Sequence, residues 1–183
     1  MVRPPPERTT TLPVIVPPPA AAGYRRILAL QYWHQPHRLE DDDARYGGLV
    51  AGAEAVARDF GAELRIEVQP EPGDTRAWQR LRRKQRVDAV IGFNTAVFEL
   101  MKRAGWALPP RGLGVAVLEL STPDSHGLGV AGCTSELDRV AAVAVEWLDQ
   151  MLRLGKLGLS ESPRVQLVEP RWVDGESLPA QGC

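Results

Sequence analysis

Apolar positions along this chain fall into short uninterrupted runs separated by segments in which they recur every three or four residues. Ile27-Leu28-Ala29-Leu30, Val87 to Ile91 and Val115-Ala116-Val117-Leu118 are such runs, the pattern of strands buried on both faces. Leu64-Arg65-Ile66-Glu67-Val68 alternates instead with period two, which predicts a more exposed strand. Between the runs, Leu49, Ala53, Val56, Ala57 and Phe60 share one face of a helix expected from about 44 to 60, stopped by Gly61. Asp41, Asp42 and Asp43 precede it, where the helix dipole favours negative charge. Asp74 reads as the N-cap of a helix that turns Trp78 and Leu81 inward. Gly92-Phe93-Asn94 closes the strand at 87–91, and a helix over 95–104 follows with Val97, Phe98 and Met101 on one side. Leu137, Val140, Ala141, Ala144, Leu148, Met151 and Leu152 mark what reads as the longest amphipathic helix. Two more strands are expected, at 165–168 and 171–173.

Strands alternating with helices predict an α/β fold: three layers, α/β/α, around a mainly parallel sheet covered on both faces. Seven of the 16 prolines lie in the first nineteen residues, so residues 1–22 read as an extended or disordered leader that holds no helix. A short edge strand over Leu12 to Val16 is the other reading of that stretch. Residues 23–178 form the expected domain, and 179–183 a tail.

Charge and cysteine usage narrow the functional classes. With 22 Lys and Arg against 23 Asp and Glu the net charge is −1, which argues against a protein whose main task is gripping phosphate backbones. The chain contains no apolar run of about 18 residues, the length a membrane span needs, and prolines interrupt the N-terminus where a secretory signal would be apolar. A cytoplasmic protein is expected. Cys133 and Cys183 are too few for a disulfide framework.

Several constellations invite a chemical reading. His34-x-x-His37 precedes three aspartates, but Pro36 removes helical spacing from the histidines, so neither metal nor cofactor is expected. Arg76, Arg80, Arg82, Arg83, Lys84 and Arg86 form the densest basic segment; spread around most of a helix, it reads as a solvated outer face rather than a nucleic-acid patch. Gly112-x-Gly114 precedes a strand instead of following one, so the dinucleotide fingerprint is missing. More telling are the residues beyond the carboxyl ends of the strands, where parallel sheets bind ligands. Gln31, Tyr32, Trp33 and His34, then Phe93 and Asn94, then Glu119 occupy those places, and Arg45 begins the helix returning from the first loop. An arginine, an amide, a carboxylate and aromatic rings suit a polyhydroxylated ligand. Each also has a plainer reading: Asn94 as a helix N-cap, Glu119 as a surface carboxylate, Trp33 as core.

The order of these motifs resembles the effector-binding domain of LacI/GalR transcriptional regulators. Gly23-Tyr24-Arg25-Arg26-Ile27 is similar to the entry strand of that family, and Arg45-x-x-Gly48-Leu49 to its following signature. Val87 to Asn94 resembles the family's Asp-Ala strand ending in Asn-Asp, and Leu108 to Val115 its approach to the next strand. Ala131-Gly132 and the segment Arg171 to Leu178 resemble its closing elements. The resemblance implies a type I periplasmic-binding-protein-like fold whose two lobes close on a small effector, commonly a sugar. By position, it implies ligand contacts for Arg45, Asn94, Glu119 and Ser135, beside Trp33 and His34. Thr95 replaces an aspartate, Glu119 an aspartate and Ser135 a frequent glutamine, so the effector's identity stays open.

The resemblance starts near the first crossover, so residues 24–130 are expected to build mostly the second lobe. A helix-turn-helix headpiece and the opening of the first lobe have no counterpart, so direct DNA reading by this chain is not expected. The long helix and last strands would then seek another partner, such as a second copy in a homodimer. Two other classes stay open: an α/β enzyme using Glu119 or His34 as acid or base, and a ligand-free dimerisation module.

Overall fold

The computed structural model describes residues 17–32, 40–84, 86–109, 112–120, 129–155 and 166–181. Among them, β1 (Arg26–Gln31), β2 (Glu63–Val68), β3 (Ala89–Asn94), β4 (Gly114–Glu119), β5 (Ala131–Thr134) and β6 (Arg171–Val173) form one sheet in the order β2-β1-β3-β4-β5-β6. The first five are parallel and β6 runs antiparallel to β5. The helices are α1 (Pro17–Ala21), α2 (Glu40–Phe60), α3 (Thr75–Lys84), α4 (Ala96–Arg103) and α5 (Leu137–Arg153).

Alternation along the apolar strands sorts the core onto two faces. Leu28, Leu30, Val90, Val115 and Val117 point to one side, where Trp78 and Leu81 of α3 and Val97 and Met101 of α4 cover them. Ile27, Ala29, Ala89 and Ile91 point to the other side and meet Leu49 and Val56 of α2 and Ala20 of α1. The three-layer α/β/α arrangement follows. Gly92 permits the close seating of α4, because a Cβ there would overlap the Val97 side chain.

The element boundaries differ from the sequence reading in instructive ways. Helix α2 begins at Glu40, so the aspartates occupy its first turn instead of preceding it. At 21 residues it is longer than the 17-residue α5, which is therefore not the longest helix. Gly92-Phe93-Asn94 continues β3 rather than closing it, since pairing extends to Asn94 opposite Glu119. Residues 166–168 form no strand. The proline-rich stretch does hold a helix at Pro17–Ala21: prolines in a first turn lose no hydrogen bond, because those N–H groups have no intrahelical partner. The Leu12 to Val16 segment lies outside the described residues.

The C-terminal segment is stitched into the sheet. The Ser177 hydroxyl donates to Val115 O at 2.7 Å and accepts from Ala131 N–H at 2.8 Å, bridging the starts of β4 and β5. Val115 N–H donates to Ser177 O, and Ser177 N–H to Gly129 O. The Tyr24 hydroxyl donates to Pro179 O at 2.7 Å and Gln181 N–H to Ala22 O at 2.8 Å, so residues 179–181 pack on the body rather than trailing from it. Asp88, just before β3, accepts from the N–H groups of Arg25 and Arg26 and fixes where β1 starts.

Helix α5 is the exception to this packing. None of its residues is buried, and Leu137 and Leu148 are 66% and 58% exposed. It leaves the sheet through Glu136, a non-glycine residue in the left-handed region with φ 46°, held by a 2.9 Å ion pair to Arg171 of β6.

Candidate functional site

The sheet order reverses direction at β1, with β2 on one side and β3 on the other. The carboxyl ends of β1 and β3 therefore diverge into loops that feed helices on opposite faces, leaving the crevice where ligands settle in doubly wound sheets. Gln31 ends β1 and Tyr32 follows it, Phe93 and Asn94 end β3, Glu119 ends β4 and Ser135 follows β5. Parallel pairing brings all of them to one edge.

Arg45, in the second turn of α2, is the best-defined member. Its Nη1 donates to Asp42 Oδ1 at 2.9 Å, and its guanidinium carbon lies 4.2 Å from the centroid of the Phe93 ring. Asp42 is wholly buried, while the Arg45 side chain keeps 18% of its surface. The carboxylate and the ring thus hold one face and one fork of the guanidinium, and the exposed remainder is a preorganised donor. Tyr32 stacks on Phe93 with centroids 5.7 Å apart and planes 7° from parallel. The two rings and the arginine form a rigid aromatic and cationic wall.

Asn94 and Glu119 face each other as register partners on β3 and β4. The Asn94 Oδ1 accepts from Ala96 N–H at 3.1 Å, so it caps α4, the plainer of its two readings. That bond uses the oxygen and leaves the amide N–H₂ as a donor. Glu119 is half-buried, and Ser135 is exposed at the same edge, beyond β5. Trp33 and His34 lie outside the described residues, as does His37. No group of three or more His, Cys, Asp or Glu able to hold a metal occurs among the described residues.

Two members, Asp42 and Gln31, were placed by the sequence but given no part in the ligand set. Asp42 read only as dipole compensation, although its i,i+3 spacing to Arg45 was a signal for a pair once the helix began at residue 40. Gln31 is 1% exposed; its Nε2 donates to Tyr32 O at 2.9 Å and more weakly to Asp42 O at 3.3 Å. Both neighbours are carbonyl acceptors, which fixes the amide orientation and leaves Gln31 Oε1 buried without a donor. An orphaned acceptor of this kind costs about 1–3 kcal/mol until a donor reaches it. Cys133, by contrast, is inert: burial pushes its thiol up to about 12, so the nucleophilic thiolate is scarce at neutral pH.

No protein-family model matches the chain, and no curated protein matches it. Among solved structures, a LacI family transcriptional regulator from Arthrobacter sp. FB24 in complex with lactose superposes with a TM-score of 0.61 at 19% identity, covering 86% of this chain and 59% of that one. A periplasmic binding protein/LacI transcriptional regulator from Alkaliphilus metalliredigens QYMF, complexed with D-xylulofuranose, gives 0.60 at 16% identity over 87% and 59%. A LacI family regulator from Enterococcus faecium with bound ribose gives 0.60 at 10% identity over 88% and 59%. The chain thus has the periplasmic-binding-protein-like fold of these LacI-type structures, and spans 59% of their length. Among the described residues, no helix is long and apolar enough to cross a membrane.

Proposed function

We propose that this chain is the sugar-sensing portion of a LacI-type transcriptional regulator. The observation that carries the reading is the convergence of Arg45, Asn94 and Glu119 on the carboxyl edge of the sheet, beside the Tyr32–Phe93 stack. A guanidinium fork, an amide N–H₂ and a carboxylate offer donors and an acceptor to vicinal hydroxyls, and the flat rings suit the apolar face of a pyranose or furanose. Ser135, Trp33 and His34 belong to the same proposed contact set. The three solved structures of this fold described above are complexes with lactose, D-xylulofuranose and ribose, which supports the ligand class. Binding would bias this lobe toward one arrangement with the rest of the sensor, shifting a population rather than catalysing a reaction. DNA would be read elsewhere, in keeping with the net charge of −1.

The proposal includes a homodimer in the cytoplasm. Leu137, Ala141, Ala144, Leu148 and Met151 recur at alternating spacings of four and three residues along the unburied face of α5, the seam spacing of paired helices. An antiparallel pair centred on Ala144 sets Ala141 of one copy near Leu148 of the other, small against large.

Calorimetric titration with lactose, ribose, xylulose and a set of nucleosides tests the sensor. At about 100 times its dissociation constant a sugar adds about 2.7 kcal/mol to stability. Glu119→Gln and Asn94→Asp are expected to weaken that sugar at least tenfold with the melting temperature of the free protein unchanged. If no sugar binds, or if binding ignores both substitutions, the reading fails; turnover of a sugar abolished by Glu119→Gln would replace it with the enzyme.

A further inference from the structure

At the opposite end of the sheet, the amino ends of β1 and β2 and the carboxyl end of α3 enclose a cavity of about 280 Å³. Its charged lining is Arg26, Arg65, Arg83, Lys84 and Arg86 against one acid, Glu63. Five cations around one concavity are costly in a chain whose net charge is −1, since like charges at short range repel. Carboxylates answer part of this charge. Arg65 pairs with Glu63 at 2.7 Å and Lys84 with Glu67 at 3.1 Å, while Arg26 approaches Asp88 only to 3.8 Å. Arg83 and Arg86 have no carboxylate partner among the described residues. They are exposed and flank the same opening.

We propose that this amino-edge cavity is a second binding site, for a compact ligand carrying two or more linked phosphates. Paired guanidinium forks match phosphate oxygens bidentately, and the answered cations supply the surrounding field. The lining contains no aromatic ring, so it offers nothing on which a base would stack. Recognition rests on the phosphates alone. Glu63 lines the cavity, and Glu67 and Asp88 pair with its Lys84 and Arg26; these carboxylates would repel an extended nucleic-acid backbone, which favours a small ligand over a polymer. The basic segment of α3 then acquires a role that neither a solvated face nor the sugar site accounts for. The site stands at the far end of the strands from Arg45, Asn94 and Glu119 and does not depend on their role.

The test is a calorimetric titration of the full chain with inorganic tripolyphosphate, ATP and a short DNA duplex at low ionic strength. Tripolyphosphate and ATP are expected to bind equally, one per chain. Arg83→Ala combined with Arg86→Ala should weaken both at least tenfold, while Glu63→Gln strengthens them. Arg103→Ala, an exposed cation on α4, should leave the binding of both unchanged. Circular dichroism of the double variant checks that the fold persists. The proposal is overturned by absence of tripolyphosphate binding, by binding that survives the double variant, or by equal loss in Arg103→Ala. Duplex binding that exceeds tripolyphosphate and tightens with duplex length overturns it in favour of a nucleic-acid surface.

Discussion

Arg45 does two things at once, and they separate by substitution. It closes an ion pair with a carboxylate that has no solvent exposure, and it lies across an aromatic ring. Removing one partner of a buried pair takes away the other's counter-charge where water does not reach it, at a cost of about 3 kcal/mol. Arg45→Ala is therefore expected to lower unfolding stability by that order in urea denaturation. Arg45→Met with Asp42→Leu should recover most of the loss, because the buried carboxylate then goes together with its counter-charge. Sugar binding should stay lost in both variants, which tells the pocket role from the packing role. If the double replacement recovers nothing, Asp42 is stabilised by partners other than Arg45. The sequence showed Arg45 through its place after the first strand, but it could not show Asp42, whose burial depends on α2 starting a turn earlier than its apolar periodicity.

Strand positions were readable because burial on both faces writes an unbroken apolar run, as in Ile27 to Leu30 and Val115 to Leu118. Their ends were less so: β3 runs on through Gly92, Phe93 and Asn94 because β4 pairs with it as far as Glu119, a tertiary fact that local composition does not carry. Gly92, read as punctuation, serves here as a close-packing position under Val97, and Asn94 caps α4, one of the two readings that its place in the sequence allowed. The same limit applies to the C-terminal segment, whose hold on β4 and β5 includes one hydroxyl that bridges the two strands. Ser177→Ala removes two buried hydrogen bonds and strands Ala131 N–H, so a loss of about 1–3 kcal/mol is expected. Hydrogen exchange should show the damage first at Val115, Ala131 and the amides of residues 177–181. Uniform exchange across the sheet would mean that Ser177 is not a local clamp.

At the scale of the whole molecule, the fold likeness and the exposed α5 describe the same situation from two sides. The chain spans 59% of each of the three solved structures compared with it, and its last long helix carries an apolar seam that its own sheet does not bury. For the proposed homodimer, sedimentation across low to high micromolar protein should show a concentration-dependent doubling of mass, lost in Leu148→Asp. A single monomeric mass throughout, or a doubling that survives Leu148→Asp, removes α5 as the contact. The periodicity of α5 was legible in the sequence, whereas its lack of cover was an inference from the resemblance, because an apolar stripe looks alike whether or not something lies against it.

The alternation of β2 bears on how far such association can go. Among the described residues this strand is one border of the sheet, and it carries Glu63, Arg65 and Glu67, charges that oppose docking of a further strand. The other border, β6, is only three residues long and follows Pro170, so it offers too short a row of free amides to template a neighbour. Among the described residues, both borders of the sheet thus oppose growth by strand addition. In the proposed homodimer, two copies meeting through α5 about a two-fold axis would use up the same patch on each, so assembly would stop at the pair instead of propagating into fibres.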